Sequence, residues 1–178
     1  MTSMDIMSDK IALDELNAMD RDAFGARLGK IYEHSQWVAA RVANGRPYAS
    51  VDALHARMEK EVRSASKMEQ LALIRAHPQL KGRLADPSTL TDASRREQSG
   101  AGLDQCTAAQ MEQLQKLNKA YLDYFGFPFV VAVRGLDTDG IIARMQARLR
   151  NDSRQEFAEC LAQIGRIARF RLDDLIAS

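Results

Sequence analysis

Five polar residues, spread over three places in the chain, have side chains that could transfer protons and hold a small polar ligand: His77, Ser94, Glu97, Gln98 and Arg171. An imidazole works as a general acid or base near neutral pH. An amide offers a donor and an acceptor to a urea- or imide-like group, and a guanidinium matches a carboxylate through two parallel hydrogen bonds. These groups suit acid–base chemistry on a small acidic molecule.

Each of these residues also has an ordinary structural interpretation, which its own spacing favours. His77 precedes a proline, so it ends a helix, where an imidazolium interacts favourably with the helix dipole. Ser94 and Glu97 are three residues apart and either share a helix face or form a capping box. Arg171 alone indicates a structural ion pair or a stem that reaches out to water. The chemical interpretation therefore depends on whether these residues come together.

Helical periodicity in nearly every segment predicts an all-α fold, a single-domain helical bundle over residues 1–178 with a loosely ordered extension at 1–10. One stripe at three- and four-residue steps predicts a long helix that ends at Asn44-Gly45: Phe24, Leu28, Ile31, Ser35, Val38 and Val42. Glu33, His34 and Trp37 lie in the middle of that helix, so we expect them to face solvent or pack rather than to act chemically.

Capping chemistry predicts where further helices begin. Ser66 with Glu69, Thr107 with Gln110, and Ser153 with Glu156 form three candidate capping boxes, and a polar helix begins near Thr91 or Asp92. The last helix, from about Arg154 to Ile176, carries an apolar stripe, and at about 100° per residue Arg171 falls within that stripe. A cation is therefore predicted to point towards the core.

The run from Phe127 to Val133 differs from the rest of the chain because it is continuously apolar. It has Pro128 as its second residue, and Gly135 follows it closely. These features predict a short buried extended segment near 127–133. Its backbone N–H and C=O groups need hydrogen-bond partners, which a ligand or a neighbouring loop could provide.

Composition excludes several classes of function. With 25 basic and 24 acidic residues the chain carries a formal charge of +1, which disfavours nucleic acid and membrane surfaces as partners. No apolar run approaches the ~20 residues that span a bilayer, the start does not resemble a signal peptide, and Ile176-Ala177-Ser178 is not a peroxisomal signal. We expect a cytoplasmic protein that binds no metal and whose two cysteines, Cys106 and Cys160, are buried reduced thiols.

Several short motifs follow one another in a set order and spacing along the chain. They are Tyr32-Glu33-His34-Ser35 with Trp37, His77-Pro78-Gln79-Leu80, Leu90-Thr91, Ser94 to Leu103, Leu117-Asn118 with Tyr121, Phe125 to Phe129, and Ile167-Ala168 with Arg171-Leu172. Together they resemble the 2-oxo-4-hydroxy-4-carboxy-5-ureidoimidazoline decarboxylase family, and the likeness extends from about Leu13 to Leu175. The resemblance implies a helical homodimer without metal or organic cofactor that converts its substrate to (S)-allantoin in urate degradation.

The resemblance also implies roles for individual residues. It makes His77 the catalytic acid/base, and it makes Ser94, Glu97, Gln98 and Arg171 substrate-holding partners. Glu97 is expected to be catalytic as well, through His77. Pro78 would shape the pocket, and the backbone around Phe129, Val130, Val131, Ala132 and Val133 would bind the substrate ring and ureido group. In the mechanism that we expect, Glu97 steers His77, which exchanges a proton with the substrate hydroxyl or carboxyl group.

Two positions depart from the family pattern, Gln79 after the His-Pro pair and Lys81 before Gly82. They leave open a decarboxylase of a related ureido or carboxy-imidazole compound. A non-catalytic helical interaction module is the alternative from another class. It accounts for the amphipathic helices and the charge near zero but not for an inward Arg171.

Overall fold

The structure, a computed structural model, describes residues 10–80 and 90–177, and nearly all of the predicted extension at 1–10, as well as Lys81, lies outside these residues. The described residues form nine α-helices and no strand: α1 Leu13–Ala18, α2 Arg21–Leu28, α3 Trp37–Val42, α4 Val51–Ser64, α5 Lys67–Ala76, α6 Asp92–Gly100, α7 Ala108–Phe125, α8 Thr138–Arg148 and α9 Ser153–Leu175. The all-α prediction is confirmed. A single parallel bridge joins Ile11 to Ile176, near the two ends of the described chain.

Most helix starts lie where capping chemistry places them. Ser66 with Glu69 opens α5, and Thr107 with Gln110 opens α7, in both cases as complete capping boxes. Thr91 caps α6. The third box was predicted one residue too late, because Asp152, reciprocated by Gln155, caps α9 in place of Ser153 with Glu156.

The prediction of one long helix that includes both Phe24 and Val42 is wrong. The chain leaves the helix after Leu28 and re-enters it at Trp37, with His34 between them in the left-handed region at φ 46°. The predicted stripe is buried nevertheless, because α2, α3 and the turn between them pack on the same core. At the predicted helix end, Asn44-Gly45, a short 3-10 turn over Ala43–Gly45 follows α3, and Gly45 is not in the left-handed region.

Helix α9 crosses the core and packs against α4 and α5. Its predicted inward face is buried, and Arg171, only 7% exposed, lies on that face among apolar residues such as Ala168 and Leu172. The prediction of an inward cation is therefore confirmed. Because α9 is long and anchored on both sides, it can hold that guanidinium at a defined place in the interior.

The buried extended segment at 127–133 is also confirmed, and side chains rather than a second strand supply hydrogen bonds to its backbone. Arg148 of α8 donates from Nη1 to the Val130 carbonyl at 2.6 Å, and the Ala132 N–H donates to Gln163 Oε1 of α9 at 3.0 Å. Gly135, at φ 84°, permits the turn that follows the segment.

A buried ion pair supports the segment from behind. Glu156 is fully buried and accepts hydrogen bonds from Arg148, from Tyr121 and from Asn151 Nδ2 at 2.8 Å. The Arg148 guanidinium also stacks 4.3 Å from the Phe129 ring centre. A buried carboxylate needs this degree of satisfaction to offset its lost hydration.

Two further sequence predictions concern membranes and thiols. Among the described helices, none is long and apolar enough to cross a lipid bilayer. Both cysteines are free thiols, Cys160 buried as expected and Cys106 only partly buried.

Candidate functional site

The polar residues singled out in the sequence meet at one pocket, built by the end of α5, helix α6, the 127–133 segment and α9. The pocket lining consists of His77, Pro78, Leu80, Ser94, Glu97, Gln98, Phe129, Val130, Val131, Val133, Ile167 and Arg171. All predicted site residues except Ala132 are in this set. The space between these residues, including solvent at its open mouth, is about 350 Å³.

His77 is held at the end of α5 by the helix itself. Its side chain is 6% exposed, and Nδ1 donates to the Leu73 carbonyl at 2.9 Å. Because a carbonyl can only accept, Nδ1 carries the proton and Nε2 of the neutral ring is a free base. The ring is therefore oriented by Leu73 and not, as the sequence-based mechanism supposed, by Glu97.

Burial lowers the pKa of His77 from 6.5 to about 4, more than Glu33 and the Leu73 hydrogen bond raise it. The unfolded chain thus binds a proton on this ring at a pH where the folded chain does not, so stability falls as pH drops below about 6.5. Between about pH 7.5 and about pH 5 we expect wild type to lose about 2 kcal/mol more unfolding free energy than His77→Asn. Urea unfolding at both pH values measures this, and equal losses would contradict the low pKa.

Arg171 is surrounded by acceptors on all sides. Its Nε and Nη2 donate to the two Glu97 oxygens at 2.8 and 3.0 Å, a bidentate arrangement. Nη2 also donates to Ser94 Oγ at 3.3 Å. Glu97 and Ser94 thus share one helix face as predicted, and both accept hydrogen bonds from Arg171. The N-terminus of α6 is capped by Thr91 instead.

Glu33 is a residue of the site that the helical periodicity does not predict. It lies in the turn between α2 and α3, is 1% exposed, and its Oε2 accepts from Arg171 Nη1 at 2.8 Å and from Ser94 Oγ at 3.1 Å. Burial by itself would raise its pKa, but Arg171 and a hydrogen bond from Thr91 outweigh burial and hold the pKa below its usual value. The inward Arg171, which required a buried anion, was the available signal.

The arrangement combines a neutral imidazole, whose Nε2 can accept a proton, with a fixed carboxylate and guanidinium in a largely apolar enclosure. Such a site can remove or deliver a proton on a bound molecule and hold its polar groups. Within residues 10–80 and 90–177, no group of three or more histidine, cysteine or acidic side chains is placed to hold a metal ion. The departure Gln79 is not among the lining residues, and its buried Oε1 has no hydrogen-bond partner among the described residues.

Comparison with known proteins finds one family over most of the chain. Residues 17–173 match the model of the OHCU decarboxylase family. A 2-oxo-4-hydroxy-4-carboxy-5-ureidoimidazoline decarboxylase from Haloferax volcanii is 41% identical over 95% of this chain and 98% of the relative. The uric acid degradation bifunctional protein PucL of Bacillus subtilis is 43% identical over 92% of this chain, which spans only 32% of that protein.

Two crystal structures resemble the fold. An (S)-allantoin synthase superposes with a TM-score of 0.75 at 29% identity, covering 93% of this chain and 54% of the other. An OHCU decarboxylase crystallised in the presence of (S)-allantoin gives a TM-score of 0.67 over 82% of this chain and 94% of the other. At 20% identity the second structure supports the fold alone.

Proposed function

Because the chain belongs to the OHCU decarboxylase family, we propose that its pocket decarboxylates 2-oxo-4-hydroxy-4-carboxy-5-ureidoimidazoline to (S)-allantoin. The protein is an enzyme, a carboxy-lyase of urate degradation. The observation that carries the proposal is the convergence of His77, Glu97 and Arg171, far apart in sequence, on one small pocket floored by the 127–133 segment.

The substrate supplies its own electron sink. When the bond to the carboxylate breaks and CO2 leaves, the electron pair forms a C=C bond to the neighbouring ring carbon. The C=N π bond breaks, and its nitrogen takes a proton from water. The resulting enol then loses its hydroxyl proton and gains one proton on carbon. No organic carrier is needed for this sequence, so the protein's task is to orient the substrate and to move protons on one face.

We assign roles from the geometry of the pocket. His77 Nε2 accepts the substrate hydroxyl proton and returns a proton to carbon, and delivery from one face sets the (S) configuration. Glu97, fixed by Arg171, accepts N–H groups of the substrate. Gln98 holds the carboxylate or carbonyl groups, and Ser94 holds a further polar group. Arg171 attracts the carboxylate by its charge, while its N–H groups keep Glu97 and Ser94 in place.

The remaining lining residues shape the cavity. Pro78 forms the wall beside His77, and the segment containing Phe129, Val130, Val131 and Val133 faces the ring and ureido group through its backbone. Ala132 contributes indirectly in this proposal, because its N–H is bound to Gln163 behind the segment and holds the segment in place.

Optical activity provides the test of the proposed reaction. When the unstable substrate is generated from urate by the upstream enzymes, adding this protein is expected to produce (S)-allantoin rapidly, whereas the uncatalysed course is slow and racemic. Circular dichroism of the product measures both the rate and the handedness. Slow racemic product in the presence of folded protein would contradict the function and favour the interaction module.

We further propose that the whole chain forms one domain, that it works as a homodimer and that it is cytoplasmic. The common hydrophobic core of the described helices supports one domain, and the family resemblance supports the dimer.

A further inference from the structure

We propose that Glu33 is a positioning residue for the decarboxylation, holding Arg171 and Ser94 in the orientation in which they meet the substrate. The inference rests on the proposed function but assigns a role outside the pocket lining. Glu33 is 1% exposed and is not among the lining residues, so it acts through residues that are. Both groups that donate to its Oε2 belong to the lining.

The first contact sets the polarity of Ser94. The hydroxyl has one proton, which it donates to Glu33 Oε2 at 3.1 Å, while Arg171 Nη2 donates to the same hydroxyl oxygen. With its proton committed to Glu33, Ser94 can present only lone pairs to a ligand. Glu33 thereby makes Ser94 an acceptor, which suits an N–H of a ureido or ring amide group and disfavours a carbonyl at this place.

The second contact prevents rotation of the guanidinium. Arg171 Nη1 donates to Glu33 Oε2 at 2.8 Å and to the Lys30 and Ile31 carbonyls, each at 3.4 Å. The turn that contains Glu33 therefore holds one edge of the guanidinium while Glu97 holds another. The turn is itself fixed, because Ser35 Oγ donates to the Glu33 carbonyl at 2.9 Å.

The carboxylate also acts on the imidazole through its charge. Glu33 raises the pKa of His77 against the larger lowering by burial, and Arg171 and the neighbouring His34 lower it further. Glu97 of α6 faces the same pocket. Removing the charge of Glu33 should therefore make His77 a weaker base, which a purely structural contact would not do.

Glu33→Gln tests the proposal because it keeps the side-chain shape but removes the charge. We expect kcat/KM to fall about 10- to 100-fold, the range for losing hydrogen bonds to a charged group. We also expect the NMR titration of the His77 ring to move to lower pH. The chain has three histidines, so substitution of the other two assigns the resonance. Glu33→Asp retains the charge and should leave the His77 titration near that of wild type.

Glu69→Gln is the matched control, since Glu69 is a half-buried carboxylate that also pairs with an arginine, Arg41, and glutamine can keep its place in the capping box of α5. It should change neither readout. A folded Glu33→Gln protein with wild-type kcat/KM and wild-type His77 titration would overturn the proposal. The titration needs no substrate, so it decides on Glu33 even if the wild-type chain shows no decarboxylase activity, which would count against the proposed function instead.

If Glu33→Gln does not give a native circular dichroism spectrum, a double-mutant cycle of Glu33→Asp and Ser94→Ala replaces it. The aspartate withdraws the carboxylate from Ser94, so a positioning role predicts that the double variant loses less than the product of the single losses in kcat/KM. If the loss of kcat/KM in the double variant equals the product of the two single losses, the proposal is overturned.

Discussion

Replacing His77 by asparagine is expected to lower kcat by about 10²- to 10⁴-fold, the usual contribution of general acid–base catalysis. The variant removes the basic Nε2 but retains an amide N–H that can donate to the Leu73 carbonyl in place of Nδ1. Local geometry and the helical fold should therefore persist. Formation of (S)-allantoin, followed by circular dichroism during generation of the substrate, measures the loss against the spontaneous racemic background.

The control for this variant is His55→Asn. His55 lies on α4 and bonds to the Gly165 carbonyl at 2.8 Å, so it is not part of the pocket. Its replacement should leave the handedness and rate of product formation unchanged. A His77→Asn protein that makes (S)-allantoin at the wild-type rate would remove His77 from the mechanism and leave the proton transfers to Glu97 or to water.

Replacing Glu156 by glutamine is expected to lower the free energy of unfolding by about 3 to 5 kcal/mol, the cost of leaving one charge of a buried ion pair without its counter-ion. Glu156 is fully buried, and Arg148, its partner at 2.8 Å, is only 10% exposed in its side chain. The glutamine keeps the volume but leaves the guanidinium uncompensated beside Phe129 and the Val130 carbonyl. Urea unfolding at neutral pH measures the loss.

Two comparisons isolate the cause. Lys119→Gln breaks an exposed pair with Asp123 and should cost far less, because exposed charges keep most of their hydration. Adding Arg148→Met to Glu156→Gln removes the uncompensated charge and should recover part of the stability. A loss in Glu156→Gln no larger than that in Lys119→Gln would show that this ion pair does not stabilise the core.

The parts of the fold that depend on local chemistry were predictable. The boxes at Ser66 and Thr107 and the cap at Thr91 involve residues three apart in the chain, so the sequence contains all of their partners. The start of α9 shows the limit of this reasoning. Asp152 and Ser153 are adjacent candidates with Gln155 and Glu156 as their respective partners, and burial of Glu156 against Arg148 decided between them.

The part that depends on distant contacts was not predictable from periodicity. The apolar stripe from Phe24 to Val42 keeps helical spacing although the chain leaves the helix after Leu28. A continuous helix and two helices joined by a turn can both bury these side chains in the core. What favours the turn is Arg171, 138 residues from Glu33, which draws that carboxylate inward. Periodicity records which residues face the core, but it does not record a pairing between charges so far apart.

The bridge between Ile11 and Ile176 has a consequence for rearranging the chain. The Ile11 N–H donates to the Leu175 carbonyl at 2.9 Å and the Ala177 N–H to the Ile11 carbonyl at 2.8 Å, so Ile11 and Ala177 lie side by side in the fold. A short peptide linker could join them, and new termini could be opened in an exposed turn elsewhere. Circular permutants of this enzyme should thus be attainable, with the order of the helices in sequence altered and their arrangement in space kept.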